Sequence, residues 1–243
     1  MYNYINGKKR ILNILSNNTK VEAKKSIPKS EKNFNYANGI KSWISVININ
    51  ISNYDKIIKN DNTVLVAKVL KSFSTEVIDI LNSDDLIRKI GVEGNHIYAI
   101  YSTPYKNNIH EVALLLGLLN TYMLMLNKIL EQKKIIKIKY KIGMSSGEDI
   151  VVRAHKKETE VAGEVFSQKL WIGNALYRAI NLSKLKSKES IIVDSMSYKN
   201  FIDEWEKINS DCKEWFKKVD DYYVADIVRI KFDAWIDEGM STI

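Results

Sequence analysis

Residues 86 to 101 constrain this chain more than any other stretch. Two β-type runs, Leu86 to Val92 and His96 to Tyr101, are joined by Glu93-Gly94-Asn95, which reads as a hairpin. An apolar stripe at helical spacing precedes it (Val66, Val69, Leu70, Phe73, Val77, Ile80, Leu81), and a second long helical stretch, His110 to Lys133, follows. Two amphipathic helices around a hairpin need a sheet to cover, so the runs on either side must supply the other strands.

Those runs are present. Trp43 to Asn50 is β-branched and apolar, and the chain leaves it through Ile51-Ser52-Asn53-Tyr54. Asp61 or Asn62 is placed to cap the first long helix. Ile135 to Met144 alternates as a strand, Ser145-Ser146-Gly147 reads as a turn, and Ile150 to Val152 starts a further strand. A polar loop is expected over 153 to 168, then Leu170-Trp171-Ile172-Gly173 leading into a helix from Asn174 to Leu185. Ile191 to Val193 is a short strand with Ser195 as the expected cap of the next helix; Val219 to Ile227 reads as a strand and Ile230 to Trp235 as a short helix. This order implies an α+β fold with a ferredoxin-like βαββαβ core, its helices packed on a mostly antiparallel sheet. Residues 1–38 read as a polar arm with a short helix around Ile11, Leu12, Ile14 and Leu15. The domain proper covers 39–200, and 201–243 form a C-terminal extension packing on it.

Composition narrows the function classes. The 45% of apolar residues suffices for a sizeable core. A net charge of +8 attracts polyanions, but the lysines are spread without interleaved aromatics, so a nucleic-acid groove is not the expected reading. A single cysteine, Cys212, excludes an intramolecular disulfide and a multi-cysteine zinc site and fits a reducing, cytoplasmic setting. Met1 to Ser16 lacks the apolar centre of a signal peptide. Val112 to Leu126, interrupted by Asn120, Thr121 and Tyr122, reads as a buried helix too short for a bilayer.

Four segments carry a resemblance to a known family. Ile49-Asn50-Ile51-Ser52-Asn53-Tyr54 resembles the Asp-Ile-x-x-Phe segment of class III nucleotidyl cyclases. Gly94-Asn95-His96-Ile97-Tyr98-Ala99-Ile100-Tyr101 is similar to their Gly-Asp-x-x-x-Ala-x-Phe hairpin. Gly143-Met144-Ser145-Ser146-Gly147-Glu148 resembles Gly-x-x-x-Gly-Glu, and Trp171-Ile172-Gly173-Asn174 resembles the start of the late helix. Tyr36 with Gly39, the Trp-Ile-Gly lead-in, and the tail with Tyr222, Tyr223 and Trp235 resemble the bacterial pyrimidine cyclases of anti-phage defence, which make cyclic UMP or cyclic CMP.

The resemblance implies two aspartates holding two Mg²⁺ or Mn²⁺ ions, and an Asn and an Arg from the partner subunit, in a head-to-tail dimer. Here Asn50 and Asn95 stand at the aspartate positions. Tyr177 and Asn181 stand at those of the Asn and the Arg, with Arg178 adjacent on another helix face. Ile51, Ser52, Asn53, Tyr54 and Gly94 fall at nucleotide-binding positions, and Gly91 and Leu170 at base-reading ones. Glu93 and Asp55 are the candidate substitute ligands. The expectation is a cyclase-like protein with a degenerate metal site, inactive or dependent on a homodimeric or heterodimeric partner. The alternatives are an active cyclase acting on UTP or CTP and a basic nucleotide- or nucleic-acid-binding module.

Other candidates are weaker. His96, His110 and His155 lack ligand spacing, and Ser145-Ser146-Gly147 lacks the Gly-Lys-Ser/Thr of a phosphate loop. Asp84-Asp85 and Asp220-Asp221 read as solvated turns. Trp205, Trp215, Tyr222, Tyr223 and Trp235 read as packing residues.

Overall fold

The computed structural model describes residues 2–30, 34, 37–154, 159–161, 164–166 and 169–241; Tyr36 and His155 lie outside them. In chain order the elements are α1 (Tyr4–Ser16), β1 (Lys20–Ala23), β2 (Asn38–Ile51), α2 (Tyr54–Ile58), α3 (Thr63–Asn82), β3 (Ile87–Glu93), β4 (His96–Ser102), α4 (Lys106–Gln132) and β5 (Tyr140–Arg153). There follow β6 (Thr159–Val161), β7 (Glu164–Phe166), β8 (Lys169–Ile172), α5 (Asn174–Leu182), β9 (Ile191–Asp194), α6 (Ser195–Glu206), a 3-10 turn (Cys212–Trp215), β10 (Lys217–Val219), β11 (Tyr222–Ala225) and α7 (Ile230–Asp237). Among the described residues one sheet runs β10-β11-β9-β5-β2-β4-β3, with β1 beside β2 and β8 beside β5.

The expected α+β architecture and central hairpin are present, with helices packed on a mostly antiparallel sheet. On one face, Ile47, Ile49, Ala99 and Met144 pack against Phe73 and Val77 of α3, Leu116 and Leu119 of α4, and Phe201 of α6. Asn62 caps α3 by accepting from the Leu65 N–H at 3.0 Å. α4, at 27 residues, is longer than the apolar stretch suggested and is long and apolar enough to cross a bilayer, yet 72% of its most apolar window is buried inside the fold. A core helix passes the same test.

The other face carries Ile44, Val46, Tyr98, Ile100 and Val151, covered by Ala175 and Ala179 of α5. α5 lies directly on β5. A side chain at Gly143 would overlap the Ala179 carbonyl, so only glycine lets the helix approach this closely.

Several expectations change. β2 starts at Asn38 rather than Trp43 and pairs with β5 without a break from Gly39 opposite Val152 to Ile51 opposite Tyr140. Ser145-Ser146-Gly147 is therefore strand, not turn. Turn propensity in serine comes from hydroxyls that compete for the local backbone, and here distant side chains take those hydroxyls. Ser145 Oγ donates to Asp194 Oδ2 at 2.6 Å, and Ser146 Oγ bonds Ser45 Oγ at 2.7 Å and Ser197 Oγ at 2.9 Å. The polar stretch after 152 continues β5 to Arg153 and includes the paired β6 and β7. Asp194, not Ser195, caps α6, accepting from the Ser197 N–H at 2.7 Å. The single strand expected at 219–227 is a hairpin of β10 and β11 that turns at Asp220, φ 49°. Near the N-terminus β1 pairs in parallel with β2, and Ile27 is buried with its N–H bonded to Ser102 Oγ at 2.9 Å.

Candidate functional site

Alternation along β2 sends Ile47, Ile49 and Ile51 into the helical core, and Asn48 and Asn50 toward α5. Gly94, at φ 54°, makes the left-handed turn that folds the hairpin tip onto the end of β2, where the Ile51 N–H donates to the Asn95 carbonyl at 2.8 Å. The two asparagines meet there. Asn95 Nδ2 donates to Asn50 Oδ1 at 2.8 Å; Asn50 Nδ2 reaches the Ser183 carbonyl at 3.4 Å; and Asn48 Nδ2 donates to Ser183 Oγ at 2.7 Å. Asn50 is buried, at 5% exposure. The line of amides thus ends on the C-terminus of α5, where backbone carbonyls lack helical donors and carry partial negative charge. An amide N–H suits that place and a carboxylate does not.

The donor set does not fit a pair of divalent ions. Both side chains are neutral and bonded to one another, and the described residues contain no group of three His, Cys, Asp or Glu that could hold a metal. Glu93 is exposed at the end of β3 and Asp55 is exposed in the first turn of α2; among the described residues neither bonds the amides. His96, opposite Asn50 across β2 and β4, is pushed below the usual imidazole range mainly by burial; Glu93 opposes that shift and Lys184 adds to it. Its Nδ1 and Asn48 Oδ1 have no hydrogen-bond partner among the described residues.

The remaining sequence-derived positions divide clearly. Ile51 is core. Ser52 N–H donates to the Lys139 carbonyl at 2.7 Å, so the backbone donors of 51 and 52 are both bonded within the protein. Asn53 donates to the Lys137 carbonyl at 2.9 Å and accepts from the Lys139 N–H at 2.8 Å, tying the entrance of β5 to the end of β2. Tyr54 packs against the core. Gly91 lies under the Tyr98 ring, which a side chain there would overlap, and Leu170 is exposed on β8.

Tyr177, Arg178 and Asn181 lie together on the outer side of α5, lining a pocket of about 430 Å³ with Asn174, Asp221 and Tyr222. Ser183 faces the amides, so α5 separates the two groups of candidate residues within one chain. Arg178 Nε lies 3.4 Å from the buried Asp194 carboxylate, and its guanidinium pairs with Asp221. Asp221 is therefore more than a solvated turn residue: the hydrogen bond and charge of Arg178 hold its carboxyl below the usual range.

Sequence reasoning missed Asn48, Ser183, Asp194 and Asp149. Asn48 was accessible from the alternation with Asn50. Asp149 sits under the N-terminus of α5, where it accepts from the Ala175 N–H at 3.5 Å and leaves no room for a side chain at Gly173. Burial raises its pKa, partly offset by the Ala175 and Asn174 N–H groups.

No protein-family profile matches the chain. It is 36% identical over 242 residues to the uridylate cyclase of Treponema porcinum, an alignment covering 98% of this chain and 82% of that protein. Its fold is similar to the adenylyl cyclase CyaB from P. aeruginosa, with TM-score 0.59, 14% identity, and coverage of 79% of this chain and 97% of that one. A class III adenylyl cyclase-like ATP-binding protein from Pseudomonas aeruginosa gives TM-score 0.58 at 14% identity, covering 82% of this chain and 43% of that one. The guanylyl cyclase Cya2 gives TM-score 0.55 at 13% identity, covering 67% and 79%.

Proposed function

This chain belongs to the class III nucleotidyl cyclases, in the family of the uridylate cyclase, and from that premise we propose that it is a pyrimidine-cyclase-type protein without two-metal catalysis of its own. In this reading it is cytoplasmic and acts through a head-to-tail dimer, with itself or with an active cyclase, in the anti-phage signalling that the pyrimidine-cyclase resemblance implies. The observation that supports it is the hydrogen-bonded line from Asn95 through Asn50 to the end of α5. Two-metal cyclisation needs anionic oxygens at those two places to hold the ions that activate the ribose hydroxyl and neutralise the triphosphate. Here the same atoms complete a helix terminus. The exposed Tyr177 and Asn181 lack the guanidinium that would steady the transition-state charge, and neighbouring Arg178 is engaged by two aspartates.

The test is purified protein with Mn²⁺ and each of ATP, GTP, CTP and UTP, with cyclic products read by mass spectrometry. No cyclic nucleotide is expected. A cyclic UMP or cyclic CMP signal that disappears in Asn50→Leu would overturn the reading.

A second reading has its own observation. Identity of 36% to a uridylate cyclase over almost the whole chain favours an active enzyme converting UTP to cyclic UMP and pyrophosphate. That reading requires Mg²⁺- or Mn²⁺-dependent turnover and is excluded by its absence in the same assay.

A further inference from the structure

On the face opposite α5, a cavity of about 480 Å³ opens between α4, the end of α6, the 3-10 turn and the segment that follows β11. Its walls are mostly apolar, with Leu114, Gly117 and Ile227 on one side and Trp205 and Trp215 on the other. The two indoles stand edge to face with centroids 5.6 Å apart. His110 also lines the cavity. It is 5% exposed, stands edge-on to Trp205 at 5.8 Å, and its Nε2 has no hydrogen-bond partner among the described residues. Burial lowers the pKa of this imidazole; Glu204 and Glu111 oppose that shift and Arg229 adds to it.

Arg229 and Lys231 stand at the same cavity. Arg229 is fixed in place, its guanidinium donating to the Leu114 carbonyl at 3.0 Å and its backbone N–H to Thr121 Oγ1 at 2.8 Å. Ile208 and Ile230, beside them, are 76% and 81% exposed.

A mostly apolar hollow of this size with one buried, unpaired hydrogen-bonding group is the pattern of a small-molecule site, and a polar atom left unpaired in the interior strengthens any bond a ligand makes to it. We propose that this cavity binds a planar heteroaromatic molecule of nucleoside size. Its ring packs on Trp215 and Trp205, an edge atom bonds His110 Nε2, which is closed to solvent until the ligand parts the Trp205 edge from it, and an anionic substituent faces Arg229 and Lys231. The site is separate from the amides on α5 and does not depend on whether the chain cyclises nucleotides.

Tryptophan fluorescence and isothermal titration of the full chain with uridine, adenosine and their 5′-monophosphates test this. Saturable binding is expected with a Kd on the order of 1 mM or tighter, with the monophosphates stronger than the nucleosides. His110→Leu and Trp215→Leu should each weaken it about tenfold or more, while Val21→Ala, on exposed β1, leaves it unchanged. Should one variant fail to fold by circular dichroism, the other decides. The His110 imidazole ¹⁵N resonance of the unaltered protein should also move on addition of the probe. Flat titrations with all four probes, binding indifferent to the folded variant or variants, or a stationary His110 resonance would each overturn the proposal.

Discussion

Two polar clusters flank α5, and they are built from opposite chemistry. Against its C-terminus lie Asn48, Asn50 and Asn95, neutral and bonded in line to Ser183. On its outer side lies Arg178 between the carboxyl groups of Asp194 and Asp221, with Asp194 also accepting from Ser145 and capping α6. Beside the outer side of α5, charge ties α5 to the start of α6 and to the β10–β11 turn. Against the end of the helix the polar side chains are neutral amides instead.

The largest effect should come from Asp194→Ala. The residue is 3% exposed and serves the Ser145 hydroxyl, the Arg178 guanidinium and the first turn of α6 at once. Losing a cap and leaving a buried hydroxyl unpaired together should cost about 3 kcal/mol. The urea midpoint measures this, and a loss well under 1 kcal/mol would mean the charged cluster carries little.

Next is Asn50→Asp, expected to cost about 2 kcal/mol at pH 7, because a carboxylate replaces a donor facing the Ser183 carbonyl. A carboxyl there has a folded pKa above its unfolded one. Its stability is therefore greatest below the unfolded value of about 3.9 and is lost as pH rises, so the deficit should shrink in acid. Full recovery of Asn50→Asp by Mn²⁺ at pH 7 would break the contrast, since it would expose a latent metal cup.

Asp149→Asn is a smaller change that turns on pH. Burial raises the Asp149 pKa, so its favourable contribution is complete below the unfolded value and declines as pH rises through the folded one. The variant keeps the oxygen that accepts from Ala175 and should gain thermal stability over the parent at pH 8 relative to pH 4. A difference in melting temperature independent of pH would remove Asp149 from the charged residues that matter. The smallest effect is expected from Asp221→Ala, an exposed ion pair with Arg178, whose melting midpoint should match the parent in moderate salt.

The hairpin, the long helices and the sheet class were legible because each rests on a strong period: 2 for the strands and 3.6 for α3 and α4. Asn50 and Asn95 were legible as a pair only through the family resemblance. Their endpoint was not, since no local pattern says which residue of a helix ends against which strand. Gly143 was the one clue, and it becomes meaningful only once the Ala179 carbonyl is seen above it. Ser145-Ser146-Gly147 misled for the same reason in reverse. Its composition signals a turn, but its partners Asp194, Ser45 and Ser197 lie 49, 101 and 51 residues away. Asp221 was hidden by turn composition, which cannot reveal that an arginine from α5 will reach it.

The line of amides also restricts which sequences can follow this one. Each link runs from donor to acceptor and ends on a carbonyl. An aspartate at position 95 would force Asn50 to turn over and set an oxygen against Ser183, and an aspartate at position 50 does so at once. Either single replacement therefore passes through a less stable protein, and both together place two carboxylates side by side, a pair that needs a cation between them. Aspartate at either place therefore carries a folding cost in addition to whatever it changes in the chemistry.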